Sequence, residues 1–299
     1  MLNSEWYESI PTFNNQPSRT LNSFRPNEKY EDDYFPPTND SLIPYELYQQ
    51  IINANNDRKK IRKAEHLNSI RLWKRISEFL PNYNLFPSEL HCDTFDQGPI
   101  GDCYFVDIIS LLSNYGELLT RLFPIPKNNH GYYEVIFFIN GWKRVIVDDY
   151  IPIYIENDTY QINTCFSNKY SNCFYPILLE KAWAKVNKCY YNIYGGFSSN
   201  SLSVLTGFQG EEKNINFVFD KNKVIEDMKK GIRKLMYLYG VNTETHAYSL
   251  LDVETYLVNN NNYQVLKIRN PHGKTGTLFL EKNEELLRNF TVETNGKRT

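Results

Sequence analysis

Residues 97–103, which read QGPIGDC, constrain this chain more than any other segment. They join the amide side chain of Gln97 to Cys103 through two glycines that permit a tight turn. Residues 105–112 form a largely apolar run with helical spacing, which predicts that Cys103 lies at the N-terminus of a buried helix. A helix N-terminus favours the reactive thiolate. The segment therefore has the parts of a thiol nucleophile with an oxyanion donor beside it, and a buried structural cysteine after a glycine loop is the alternative.

A cysteine nucleophile also needs an imidazole to take its proton and a third group to orient that imidazole, and both come from distant parts of a chain. His246 stands in the segment THAYSLL, and Asn270 stands in the segment KIRNPHG. Both segments have the pattern of strands that end in polar turns. We therefore predict that each presents its polar residue at the edge of a sheet.

Further segments carry a family resemblance that no single motif would support. They are residues 30–42 (YEDDYFPPTNDSL), 141–152 (GWKRVIVDDYIP), 174–185 (FYPILLEKAWAK), 194–197 (YGGF) and 205–208 (LTGF). Together with the cysteine, histidine and asparagine segments, and in this order, they resemble the calpain family of papain-like cysteine proteases. The resemblance spans about residues 30–280.

The resemblance implies a role for each chemical group. Cys103 would attack the scissile carbonyl, and His246 would carry the proton from the thiol to the leaving amine. Asn270 would hold the imidazole through its second nitrogen. Gln97 and the backbone amide of Cys103 would form the oxyanion hole.

The substrate-binding residues follow from the same resemblance. Gly195 and Gly196 match a glycine pair that lies along the substrate backbone, where a side chain would block the approach. Tyr104 stands where the family usually has tryptophan, and it keeps an aromatic wall. Thr245 replaces the usual glycine before the histidine and adds a side chain where the substrate passes.

A papain-like α+β fold is therefore expected, with the active site in the cleft between a helical half and a strand-rich half. Residues 1–43 form a polar leader, expected as an arm on the domain or as a partly disordered segment. Residues 44–196 form the half that carries the nucleophile, and residues 197–299 form the strand-rich half that carries histidine and asparagine. Residues 259–262, all asparagine, are expected to form an expanded hairpin loop.

Composition fits an intracellular enzyme. A chain of 299 residues with 41% hydrophobic content can bury a substantial core, and a net charge of −2 gives no electrostatic case for nucleic acid. Five cysteines without CxxC pairs argue against a disulfide scaffold and a structural zinc site, so a reducing, cytoplasmic location is expected. No signal peptide pattern or apolar run long enough for stable membrane insertion stands out.

Calcium is where the match to the family weakens. Glu180 aligns with a family calcium ligand, but Thr94 occupies the position where aspartate is common; Asp93 and Asp96 are the nearby substitutes. Beyond Asn270, no carboxylate appears until Glu281, so a second calcium site is expected to be absent. We expect no required cofactor and at most this one degenerate calcium site.

Three function classes stay open on these grounds. The favoured one is a calpain-type cysteine endopeptidase that acts on protein substrates, with a regulatory protein as a second partner. The alternative is a catalytically weak or inactive calpain-like protein that binds partners or regulates a protease; the chain stops about 30 residues past Asn270, short of the family's last core strands. A transglutaminase-like enzyme would use the same nucleophile, but its third member is usually aspartate. The basic run at residues 58–63 is interpreted as a solvated helix face.

Overall fold

The computed structural model describes most of the chain. The described residues are 4–80, 82–90, 95–156, 159–162, 166–167, 172–210, 226, 229, 240–242, 247–258, 261–270, 272 and 274–279. The helices are α1 (Ser4–Ser9), α2 (Asn39–Leu42), α3 (Tyr45–Ala54), α4 (Arg58–Ser69), α5 (Ile76–Phe79), α6 (Cys103–Ser113), α7 (Gly116–Thr120), α8 (Tyr175–Val186) and α9 (Ser198–Thr206). The strands are β1 (Leu72–Arg75), β2 (Phe95–Asp96), β3 (Tyr132–Phe138), β4 (Trp142–Asp148), β5 (Tyr150–Glu156), β6 (Thr159–Ile162), β7 (Phe166–Ser167), β8 (Gly240–Asn242), β9 (Ala247–Val258), β10 (Asn261–Asn270) and β11 (Lys274–Phe279).

Helix α6 lies at the centre of the main core. Every residue from Tyr104 to Ser113 is buried, because the run of apolar side chains leaves no polar face for solvent. Phe105 stacks on Trp183 of α8 with ring centroids 5.3 Å apart and meets Phe137 of β3 edge-on. Burial of a phenylalanine side chain contributes about 2 kcal/mol. The predicted buried helix that begins at Cys103 is confirmed.

Helix α8 packs behind α6 and buries charged side chains along with apolar ones. Pro176 stands in its first turn, where a missing N–H costs no intrahelical hydrogen bond. Lys181 forms a fully buried ion pair with Asp148 at the end of β4. Lys185 forms another with Asp32, with Nζ and Oδ2 2.6 Å apart. Removal of one partner from such a buried pair costs about 3–5 kcal/mol, because the other charge is left uncompensated.

The leader lies against the body of the domain through these and other contacts. Arg144 of β4 donates from its backbone nitrogen to Pro11 O at 3.0 Å and from Nε to Ile10 O at 2.8 Å. The backbone nitrogen of Asp32 donates to Asp148 at 2.8 Å. The leader thus adds buried polar partners to the core that follows it.

The sheets are small and antiparallel. Strands β3 and β4 form a hairpin, β5 lies between β1 and β6, and β2 pairs with β7. The strand-rich part has the order β11-β10-β9-β8. Its pairing of β9 with β10 extends to Val258 and Asn261, so the expectation of an expanded asparagine loop is wrong for Asn261 and Asn262, which belong to β10. Mixed helices and small sheets make this an α+β domain.

Among the helices that the structure describes, none combines the length and apolar character needed to cross a membrane.

Candidate active site

Cys103 is the first residue of α6 and is partly exposed, whereas Cys173 and Cys189 are fully buried. The backbone turns into the helix at Asp102, whose carbonyl oxygen accepts from the nitrogens of Phe105 and Val106. The thiol therefore stands where the partial positive charge of the helix end stabilises a thiolate. Cys103 therefore combines partial solvent exposure with a position that stabilises the thiolate, and a thiol nucleophile needs both.

Gln97 lies beside this loop and is 7% exposed. Its Nε2 donates to Ile100 O at 2.6 Å and to Asp102 Oδ1 at 3.2 Å. An amide nitrogen has two N–H groups, so both are used inside the loop. In this arrangement Gln97 holds the turn before Cys103, and donation to an oxyanion requires it to release one of these bonds.

Behind Cys103, two buried carboxyl groups face each other. Asp102 and Glu180 of α8 are both fully buried. Burial raises the pKa of Asp102, and hydrogen bonds with Glu180 and Gln97 oppose that rise. Two carboxyl groups buried beside each other favour protonation of one of them, because like charges repel strongly where water is excluded.

The predicted calcium ligands are only partly brought together. Glu180 faces Asp102, and the Asp96 carboxylate lies 3.7 Å from Nη2 of Arg269. Asp93 and Thr94 lie outside the described residues. Within the described part of the chain, no three His, Cys, Asp or Glu side chains gather as a metal site. The described carboxylates alone do not fit calcium, which takes about six to eight oxygen ligands.

The predicted substrate wall is built from residues that pack on one another. Gly195 has a φ of +76° and donates from its nitrogen to Gly101 O at 2.8 Å. A Cβ on Gly196 would lie 2.5 Å from the ring of Tyr104, which is buried and accepts a hydrogen bond from Trp183 Nε1 at 2.9 Å. The fold itself thus favours glycine at both positions, at Gly196 for space and at Gly195 for the left-handed backbone. Thr245 lies outside the described residues.

Asn270 ends strand β10 at the turn into β11, where it pairs with Lys274. Its Oδ1 accepts from the backbone nitrogen of His272 at 3.1 Å, which closes the turn. Asn270 therefore lies at the end of an inner strand of the sheet, where the strand pattern of the sequence gives way to a turn. Its predicted partner His246 lies outside the described residues, so the relation of the imidazole to Cys103 and Asn270 stays a prediction.

Asp107 joins the nucleophile helix to the sheet that carries Asn270, and the sequence analysis missed it. It is fully buried one turn after Cys103, and Ser249 of β9 donates from Oγ to its backbone oxygen at 3.0 Å. Ser198 of α9 donates to its Oδ2 at 3.4 Å. Burial raises its pKa to about 7, opposed by hydrogen bonds from Ser249 and Ser198 and by the charge of Arg269. A single acidic residue in an apolar helix pattern is the signal that marks it.

Lys63 of α4 is a second residue that the sequence analysis did not place at the site. Its Nζ lies 4.6 Å from the centre of the Tyr194 ring, and its charge interacts with Cys103. Burial lowers the pKa of Lys63, and the charges of Asp57 and, to a smaller extent, Cys103 oppose that change. A half-buried cation therefore lies on the ring that packs against the loop before Cys103, within a basic run that sequence patterning assigns to solvent.

Comparison with known proteins gives a consistent result over most of the chain. The profile described as calpain family cysteine protease matches residues 30–278. Calpain clp-4 of Caenorhabditis elegans is 26% identical over 223 residues, which cover 68% of this chain and 30% of that protein. Calpain-14 of Homo sapiens is 27% identical over 219 residues, covering 68% and 31%. Calpain-5 of Caenorhabditis elegans is 25% identical over 275 residues, covering 85% and 39%.

An α+β domain with an accessible cysteine at the head of a buried helix has the organisation of a cysteine protease domain. The chain belongs to the calpain family of cysteine proteases. It spans about a third of the length of the curated relatives named above.

Proposed function

We propose that this chain is a calpain-like intracellular cysteine endopeptidase with a papain-like fold. The observation that carries the proposal is Cys103, partly exposed at the N-terminus of α6 within a calpain family domain. Proteins are its substrates, and a regulatory protein is its expected further partner. Free cysteines that include the buried Cys173 and Cys189 support a reducing, cytoplasmic location.

The reaction proceeds through an acyl-enzyme. The Cys103 thiolate attacks the scissile carbonyl carbon, and the oxyanion that forms is held by the backbone N–H of Cys103 and by Gln97 once it turns from its loop. Collapse breaks the C–N bond, and His246 gives its proton to the leaving amine. Water activated by the same imidazole then releases the acyl group and restores the thiol. Asn270 keeps the imidazole oriented through both steps.

The test is covalent labelling of Cys103 by a peptidyl epoxide together with casein hydrolysis, with the Cys103→Ala chain as control. We expect labelling at Cys103 and loss of hydrolysis in the variant, while circular dichroism stays unchanged because little volume is removed. Asn270→Ala should lower turnover less than Cys103→Ala does. Hydrolysis by Cys103→Ala near the unmodified rate would contradict the proposal. A well-folded chain that neither labels nor cleaves would instead support the binding or regulatory alternative.

A further inference from the structure

Helix α4 presents its basic run with a fixed orientation. Asp57 caps the helix, with Oδ1 accepting from the backbone nitrogens of Lys59 at 2.9 Å and Lys60 at 3.2 Å. Ala64 and Leu67 are fully buried and seat the helix on the domain. The basic side chains then divide by exposure: Lys63 is half-buried, whereas the others are exposed, namely Arg58, Lys59, Lys60 and Arg62.

Lys63 is directed toward the wall beside the nucleophile. Its ammonium stands over the Tyr194 ring, in cation–π geometry. That ring in turn covers the loop before Cys103, since a Cβ on Gly101 would lie 2.8 Å from its Cδ1. Lys63, Tyr194 and the cysteine loop therefore form one continuous surface.

The segment that carries Lys63 has an excess of positive charge. Residues 57–66 carry five basic and two acidic side chains, whereas the whole chain has a net charge of −2. The charged groups that act on Lys63 are Asp57 and Lys59 of its own segment, and Cys103 across the wall. A carboxylate that enters beside Cys103 would meet a half-desolvated ammonium, where electrostatic attraction is stronger than in bulk water.

We propose that Lys63 is a specificity-determining residue that binds an acidic side chain of the substrate close to the scissile bond. The proposal rests on the proposed protease function and identifies a substrate class for it: protein segments with Asp or Glu beside the cleaved peptide bond. The contact with the aromatic face of Tyr194 holds the ammonium beside the loop before Cys103, so its charge acts locally instead of through the overall field of the helix.

The first experiment measures the local charge at the thiol without requiring proteolysis. Iodoacetate and iodoacetamide alkylate the same thiolate, but only iodoacetate is anionic. The rates at Cys103 are followed by mass spectrometry of the peptide that contains it. A change in the pKa of the thiol alters both rates by the same factor, so it does not affect their ratio. We expect Lys63→Gln to lower this ratio about two- to fivefold. Lys63→Arg should restore it, and added salt should reduce the difference.

Arg62→Gln is the matched control, because it removes the same charge from an exposed position one residue away. Its ratio should remain that of the unmodified chain. An unchanged ratio in Lys63→Gln, or an equal decrease in Arg62→Gln, would overturn the proposal. Either result would mean that the thiol senses only the total charge of the helix.

The second experiment measures selectivity with quenched peptides that differ only by Glu or Gln at one position flanking the scissile bond. The unmodified chain should cleave the preferred Glu peptide about two- to fivefold more efficiently than its Gln counterpart, mainly through KM, and Lys63→Gln should remove that preference. Equal cleavage of every pair by the unmodified chain would refute the proposal.

If no peptide is cleaved, the proposed protease function is wrong. The acidic subsite at Lys63 is then tested by binding of the same Glu and Gln peptides to the Cys103→Ala chain. Tighter binding of a Glu peptide that depends on Lys63 supports the subsite. Equal or absent binding refutes it.

Discussion

At the scale of single residues, the loop before Cys103 depends on the two N–H groups of Gln97. They join Ile100 O and Asp102 Oδ1 in the resting geometry, and they are also the donors that an oxyanion would need. In the proposed mechanism, the side chain therefore gives up one of these structural hydrogen bonds for each hydrogen bond that it makes to the oxyanion. This makes the residue sensitive to substitution in two measurable ways.

We expect Gln97→Ala to lower kcat about ten- to a thousandfold with a smaller effect on KM, because an oxyanion donor acts mainly in the transition state. We also expect it to lower the free energy of unfolding by about 1–2 kcal/mol, because two buried acceptors lose their donor. Steady-state kinetics and urea unfolding measure the two effects. A rise in KM alone would identify Gln97 as a group that binds the substrate in its ground state.

An added Cβ should destabilise the fold at both Gly195 and Gly196, but for different physical reasons. A Cβ at Gly196 overlaps the buried Tyr104 ring, whereas a Cβ at Gly195 meets no atom within 4 Å but must adopt a φ of +76°. Gly196→Ala should therefore destabilise the fold by about 1–3 kcal/mol through overpacking, and Gly195→Ala by about 1 kcal/mol through backbone strain. Combining each with Tyr104→Ala separates the causes by urea unfolding. Truncation of the Tyr104 ring should reduce the loss in free energy of unfolding caused by Gly196→Ala and leave the loss caused by Gly195→Ala unchanged.

At the scale of elements, Asp107 connects α6 to β9 and α9 through the side chains of Ser249 and Ser198. Its carboxyl group has a pKa of about 7 in the fold against an ordinary value of 3.8. The folded state therefore binds this proton more tightly than the unfolded chain does. Its contribution to stability is greatest below 3.8 and is lost as the pH rises toward about 7.

Asp107→Asn should remove this dependence, because the amide resembles the protonated acid. We expect the unmodified chain to lose stability relative to the variant as the pH rises across this window, by up to about 1.4 kcal/mol for each pH unit. Urea unfolding of both chains at matched pH values gives the difference directly. Parallel curves for the two chains would show that Asp107 titrates alike in the folded and unfolded states.

At the scale of the whole molecule, local pattern predicts much of the fold but few of its long-range contacts. The apolar runs of α6 and α8 and the strand character around β3, β4, β9 and β10 are visible in the sequence, because burial imposes a period on consecutive residues. The contacts of Lys63 with Tyr194 and of Asp107 with Ser249 join residues far apart in the chain, and periodicity carries no information about such pairs. The asparagine run predicts a longer loop than the structure has, because a polar composition does not prevent backbone pairing at Asn261.

The response to calcium is a property of the whole molecule, because it depends on carboxylates from several segments. Asp96 faces Arg269, and Glu180 is fully buried beside Asp102, so calcium would have to displace a guanidinium or reach a carboxylate that solvent does not reach. We therefore predict weak calcium dependence, with casein hydrolysis changing less than about twofold between micromolar calcium and chelator and any binding in the millimolar range. Asp96→Asn should leave that response unchanged, whereas it should loosen the contact between β2 and β10. Titration calorimetry that finds two micromolar sites, or activity that is lost in chelator, would contradict this prediction and would mean that residues beyond Glu180 and Asp96 assemble a calcium site in this chain.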